Sequence, residues 1–343
     1  MEKETFALGL PLHKRYAILG LEKNIGKTTV LNWISRVWGR NSQSTLLLSI
    51  GRDGEEVDVI DGHTKPKIEL QKGNYALTGE RVLTSPALLE VVEVFSFKTL
   101  AGRPVLVKAI EDTTIELINP GGLERLTEIA DQLLAQGRCD RVLLDGAFNR
   151  LSHAQRAVAD SVLLVTGAQA QGTFEEILEK TVYVVERLER LPSSVEWRTR
   201  IEEADRPDAP MILLSEEGKT MVVGETSWQN PKTIAEMRKA RAVYMKGALT
   251  PGIADKLLQE RVKTEVILRD GPCIQLDAGL YRRMQAGGLR LSVLYPIPVI
   301  GIFVNSFGAK RSFTNGRMKG ELARRLPANP VFDLFEVTET ANK

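Results

Sequence analysis

The chain has 343 residues, 43% hydrophobic and 26% charged, with 46 Lys and Arg against 44 Asp and Glu. That length supports a full core or two compact units, the composition excludes disorder, and a net charge of +2 gives no long-range pull toward nucleic acid or an anionic membrane. Cys139 and Cys273 lie far apart without ligand-like spacing, which excludes a disulfide framework and argues against a structural zinc site. The first residues, MEKETFALGLPLHKRY, lack a signal-peptide core. No run approaches the ~18 apolar residues of a membrane span. A cytoplasmic protein with neither a membrane nor a nucleic-acid partner is expected.

RYAIL (15–19) predicts a short buried strand, and Val30, Leu31, Ile34, Val37 and Trp38 recur at helical spacing after it. STLLLSI (44–50), RPVLVKAI (103–110) and DRVLLDG (140–146) predict further strands, with a helix over LERLTEIADQLLAQ (123–136). The continuous apolar character of VLL suits a parallel sheet covered on both faces. DSVLLVTGA (160–168) and EEILEKTVYVVERLERL (175–191) add another strand and an amphipathic helix. Periodicity is lost over 191–210, which carries Pro at three positions. After it, MILLS, TMVVGE, AVYMKG, TEVILRD and VLYPIPVIGIFVN predict more strands, with helices between several of them. The expected fold is α/β, a mostly parallel P-loop NTPase core over 1–205 with a C-terminal α/β extension or second domain over 206–343.

The segment GLEKNIGKTT (20–29) sits between the first strand and the first helix. Backbone N–H groups of such a loop converge on an anion at a helix N-terminus, where the helix dipole adds to the attraction. Asn24, Ile25, Gly26, Lys27, Thr28 and Thr29 are the expected nucleotide-binding residues. Lys27 would reach the β and γ phosphates and Thr28 would place its hydroxyl on Mg2+. Five residues separate Gly20 from Gly26, one more than usual, so either Leu21 takes the first-glycine position or the loop is longer. The plain structural alternative has Gly26 ending a turn and Thr28 capping the helix.

A magnesium nucleotide also needs carboxylates at neighbouring strand ends. Asp145 closes VLLD and is the expected metal-side ligand with Thr28. Asp53 follows the second strand in SIGRDGEEVD. With Lys27, these two aspartates are the expected catalytic set; otherwise Asp145 is a turn residue and Asp53 part of a solvated loop. The loop 51–67 is the expected sensor of nucleotide state, and Lys65 and Lys67 are candidate extra cations. No Asn-Lys-x-Asp is present to read guanine, so ATP is the expected nucleotide. His13, His63 and His153 are scattered, and the basic stretch 309–325 reads as a solvated helix face.

Taken together, GLEKNIGKTT, SIGRDGEEVD, DGAFNR, LLVTGA and the late IGIFVNSF resemble the ATPase-type subunit of the reactivase that serves lysine 5,6-aminomutase, within the P-loop NTPase superfamily. The resemblance implies ATP-driven release of damaged cobalamin from an adenosylcobalamin-dependent aminomutase, a Mg-dependent ATPase activity and a second reactivase subunit as partner. A P-loop small-molecule kinase or ATP-dependent ligase is the alternative enzyme class, and a non-catalytic nucleotide-binding scaffold is the third reading.

Overall fold

The computed structural model describes residues 9–10, 15–51, 67–146, 158–192, 194–206, 209–215, 219–224, 230–308, 311–313 and 316–339. The fold is α/β, with nine α-helices among the described residues and a large, mostly parallel central sheet. The chain forms two compact units, one of residues 1–182 with 299–343 and one of 183–298. This division differs from a cut at 205, because the chain leaves the first unit within a helix and returns to it at Val299.

The first unit opens with β1 (Arg15–Gly20), α1 (Lys27–Arg40), β2 (Thr45–Ser49) and the short β3 (Ile68–Leu70). It continues through β4 (Tyr75–Gly79), β5 (Leu89–Val94), β6 (Pro104–Ala109), β7 (Thr113–Ile115), α2 (Leu123–Ala135), β8 (Arg141–Asp145), β9 (Ser161–Gly167) and α3 (Phe174–Leu188). After the second unit come β15 (Val299–Asn305), α8 (Arg317–Arg325), β16 (Val331–Asp333) and α9 (Leu334–Glu339). Nine strands form one sheet in the order β16-β15-β9-β1-β8-β2-β4-β6-β5. Pairing is parallel from β16 to β4, and β6 then runs antiparallel to both β4 and β5. The segment 103–110 is therefore a strand, but of the antiparallel flank.

β1 has β8 on one side and β9 on the other, while α1 carries the chain outward to β2. The direction of strand addition reverses around β1, and open α/β sheets take ligands beyond the strand C-termini at such a point. β1 is buried from Tyr16 to Gly20, and α1 seals it with Val30, Leu31, Ile34 and Trp38.

The second unit contains α4 (Val195–Ala204), β10 (Met211–Leu214), β11 (Thr220–Val223), α5 (Pro231–Lys239), β12 (Ala242–Met245), α6 (Pro251–Gln259), β13 (Glu265–Leu268), α7 (Ala278–Ala286) and β14 (Leu291–Val293). Its five-stranded sheet has the order β11-β10-β12-β13-β14, parallel from β12 to β14 and antiparallel on either side of β10. Its core packs Met211, Met237, Val243, Leu257, Val266 and Met284 together. The segment VLYPIPVIGIFVN is divided here: β14 ends at Val293, Pro296 and Pro298 follow, and β15 begins at Val299 in the other sheet. A proline has no N–H for a strand ladder and fixes its own φ, so the paired prolines break what apolar character alone reads as one strand.

Trp38 is fully buried, its ring 4.4 Å from the Arg141 guanidinium carbon and 5.6 Å from the Tyr16 ring. Burial pushes the Tyr16 phenol well above its usual range and draws Arg141 below its own. Trp38→Ala is expected to destabilise the first unit by about 3–5 kcal/mol, read as a lower urea midpoint.

Candidate functional site

The site is built at the C-terminal end of β1. Gly20 ends the strand, and a Cβ added there would meet Ile25 Cγ2 at 2.7 Å, Lys27 Cγ at 2.9 Å and Lys27 Cδ at 3.0 Å. The chain therefore folds back so closely that the aliphatic stem of Lys27 crosses the strand terminus. Leu21 N–H donates to the Val165 carbonyl of β9 at 3.0 Å, and Ile25 is fully buried. These contacts fasten the loop on both sides of its turn.

Asn24 (φ +56°) and Gly26 (φ +107°) are both left-handed. Asparagine tolerates this region better than most residues, and glycine enters it without a Cβ penalty. Gly26 is also the N-cap of α1, and no side chain caps that helix. Ser194, Asn230 and Asp277 cap α4, α5 and α7 by accepting from backbone N–H groups, whereas α2, α6 and α8 share with α1 the lack of a side-chain cap. The first intrahelical bond of α1 runs from Val30 N–H to the Gly26 carbonyl at 3.2 Å, so the N–H groups of Lys27, Thr28 and Thr29 lie outside the helical ladder. No acidic residue occupies the first turn. The helix thus presents backbone donors and the positive end of its dipole beside Lys27. Thr28 is the second residue inside the helix and does not cap it.

Asp145 ends β8, in register with Ile18 of β1 and Ser49 of β2. Its backbone carbonyl accepts from Ile50 N–H at 2.9 Å. Gly146 continues past β1 so closely that a Cβ would meet the Ile18 carbonyl oxygen at 2.7 Å, so the glycine of this Asp-Gly pair serves a close strand approach. The Asp145 Oδ1 atom is sealed from solvent with no hydrogen-bond partner among the described residues. Burial raises the carboxyl above its ordinary value, and the Lys27 ammonium pulls in the opposite direction. The structure brings Lys27 and Asp145 into one electrostatic neighbourhood.

Two other segments reach this place from the far end of the sequence. Asn305, the last residue of β15, donates from Nδ2 to the Ile25 carbonyl at 3.2 Å, and its Oδ1 accepts from Phe307 N–H. Gly167 lets β9 approach closely enough that a Cβ would lie 2.0 Å from the Asn305 carbonyl oxygen. Leu334, which opens α9, packs over the loop; a Cβ on Gly26 would meet its Cδ2 at 2.5 Å. Glu22 is held by Lys180 of α3 at 2.8 Å, which keeps the loop's acid neutralised. Nothing in the local pattern around 20–29 announces Asn305, Lys180 or Leu334; the position of Asn305 at a strand end is the one signal that could have found it.

Asp53, Lys65 and the three histidines lie outside the described residues, as does most of the loop 51–67. Lys67 stands just before β3, its carbonyl accepting from Asn32 of α1 at 2.9 Å. In the basic stretch, Lys319, Arg324 and Arg325 pair with Glu336, Glu321 and Glu179. Among the described residues no group of three or more His, Cys, Asp or Glu could hold a metal ion, and no helix is long and apolar enough to cross a membrane. No protein-family model matches the chain, and no curated protein matches it at a significant level.

The raised Asp145 carboxyl has a stability consequence of known sign. Below the ordinary aspartate value the group is protonated in both folded and unfolded chains and costs nothing. As pH rises toward and through the higher folded value, the folded state loses stability because it must ionise a buried group. Asp145→Asn is therefore expected to melt at a higher temperature than the parent at pH 7, with the gap closing as pH falls below the ordinary aspartate value. Melting curves of both proteins across that range, without nucleotide, check this.

Proposed function

We propose that the loop from Gly20 to Thr29 is the phosphate loop of a P-loop NTPase core that binds ATP with Mg2+. We further propose that the protein uses ATP hydrolysis as a reactivating factor, releasing damaged cobalamin from an adenosylcobalamin-dependent aminomutase together with a second reactivase subunit. The observation that carries the nucleotide reading is the Lys27 stem folded across Gly20 beside the uncapped N-terminus of α1, with the unpartnered Asp145 Oδ1 at the adjoining strand end. The client and partner rest on the order of the sequence segments that resemble the reactivase subunit.

These residues fit the proposed ligand. The N–H groups of Asn24 to Thr29 and the Lys27 ammonium would hold the phosphates, and the Thr28 hydroxyl and Asp145 would face the metal. Bound Mg2+ would supply positive charge against the developing charge of phosphoryl transfer. Lys27 would hold its cation where that charge grows, and Asp145, ionised by the neighbouring positive charge, would present Oδ1 on the metal side of the phosphates. The hydrogen bond from Asn305 and the packing of Leu334 fix the loop backbone before ligand arrives, which lowers the ordering cost of binding.

A small-molecule kinase needs an acceptor pocket against the terminal phosphate. The first unit has a cleft of about 700 Å3 lined by Arg36, Gly39, Arg40, Glu69, Lys72 and Asp112. It opens at the C-terminal end of α1, and ten or more residues of helix at ~1.5 Å each put it ~15–20 Å from Gly26, out of reach of direct transfer.

Two measurements test the proposal. Lys27→Ala is expected to lower Mg-ATP affinity at least tenfold by calorimetry while leaving the melting temperature within a few degrees of the parent; equal affinity overturns the loop assignment. ATP turnover is expected to rise several-fold when an inactivated cobalamin-dependent aminomutase is added, with cobalamin appearing in the filtrate. Turnover indifferent to the aminomutase, accompanied by a phosphorylated metabolite, would select the kinase instead.

A further inference from the structure

The second unit has its own concave, cationic edge. β12, β13 and β14 are parallel, so the loops that enter them emerge along one side of the sheet. Arg241 immediately precedes β12, Lys263 lies just ahead of β13 and Arg290 immediately precedes β14. With Arg238 at the end of α5 and Arg261 after α6, they line a cleft of about 340 Å3. All five are exposed.

Cations near helix C-termini ordinarily answer the helix dipole, but that effect fades within the last turn. Lys263 and Arg290 each stand four residues beyond the last residue of α6 and α7, so the dipole does not account for them. Nearby acids answer Arg238 but leave Arg261, Lys263 and Arg290 without an ion pair among the described residues. Glu260 is shared between Arg238 at 2.6 Å and Lys256 at 2.7 Å, and Glu236 is paired with Lys239. Glu265 accepts from the Ser292 hydroxyl. Like charges lining one hollow repel, and an anion shared by several of them relieves that repulsion.

We propose that this cleft binds a small ligand carrying two or more phosphate groups. Guanidinium forks match phosphate oxygens in pairs and ammonium adds a point charge, so a run of phosphates answers Arg261, Lys263 and Arg290 together where a single carboxylate would not. Among the described residues the lining holds no aromatic ring on which a base could stack, which favours a compact oligophosphate over a nucleic-acid strand. The inference does not rest on the loop of the first unit.

Inorganic tripolyphosphate is the probe, titrated calorimetrically into the full chain carrying Lys27→Ala, so that the loop lacks its cation. Saturable binding is expected in this background, weakening at least tenfold when Lys263→Glu and Arg290→Glu are added. Both side chains are exposed, so the melting temperature should hold; if the double reversal misfolds, Lys263→Gln with Arg290→Gln should still weaken binding several-fold. Tripolyphosphate should also protect Lys263 from acylation, read by peptide mass spectrometry. No binding in the Lys27→Ala background, or binding indifferent to both pairs of substitutions, overturns the proposal. So does a single-stranded RNA 20-mer that binds more tightly than tripolyphosphate through Lys263 and Arg290, which would make the edge a nucleic-acid surface.

Discussion

The absence of one Cβ governs the candidate site. At Gly20 the central strand of the first unit ends against the returning chain, with Ile25 and the Lys27 stem inside the distance that any side chain would occupy. Because the turn closes so tightly, Lys27 is held over the strand terminus by its own aliphatic carbons, not left to sweep through solvent. The rest is bracing: the β9 carbonyl of Val165 from one side, the Asn305 amide from beyond it and the Leu334 side chain above. A loop held at several points reaches its working shape without paying for order when a ligand arrives.

Opposite electrical demands meet at this strand edge. The start of α1 offers donors and a positive dipole end without an acidic residue to answer them, while Asp145 offers a buried carboxylate oxygen without a donor. Each is a local cost to the folded chain, and the proposed ligand, which joins anionic and cationic parts, would relieve both at once. Helices α2, α6 and α8 also start without a side-chain cap, so the bare N-terminus of α1 is set apart by its neighbours, the Lys27 stem and the Asp145 carboxylate, and not by the missing cap itself.

The strand, turn and helix around 15–40 were legible because each signal is local: apolar run, glycine punctuation, then a 3.6-residue period. Asp145 was legible for the same reason, as a carboxylate closing a buried apolar run. β4 and β5 were not read. β4 is a short run that follows a loop, and β5 alternates poorly, with Glu90 and Glu93 among valines, because it forms the sheet edge. VLYPIPVIGIFVN was read as one strand because hydrophobicity dominates its composition, yet backbone donors decide where a ladder stops. Asn305, Lys180 and Leu334 stayed hidden for a different reason. Their roles come from strand order, and a single sequence does not state that β15 lies beside β9 or that α9 covers Gly26.

The insertion of the second unit between β9 and β15 also sets an order of assembly. On the ribosome, β1, α1 and β8 emerge early and can pair among themselves, but the strand supplying Asn305 follows more than a hundred further residues, and Leu334 comes later still. Contacts so distant in sequence form late. Until then the turn after β1 lacks two of its braces, so a nascent chain carries the complete GLEKNIGKTT segment well before it carries a finished pocket. Proteolytic loss of the last forty residues would therefore strip the Asn305 and Leu334 braces from the turn while leaving every residue of GLEKNIGKTT in place.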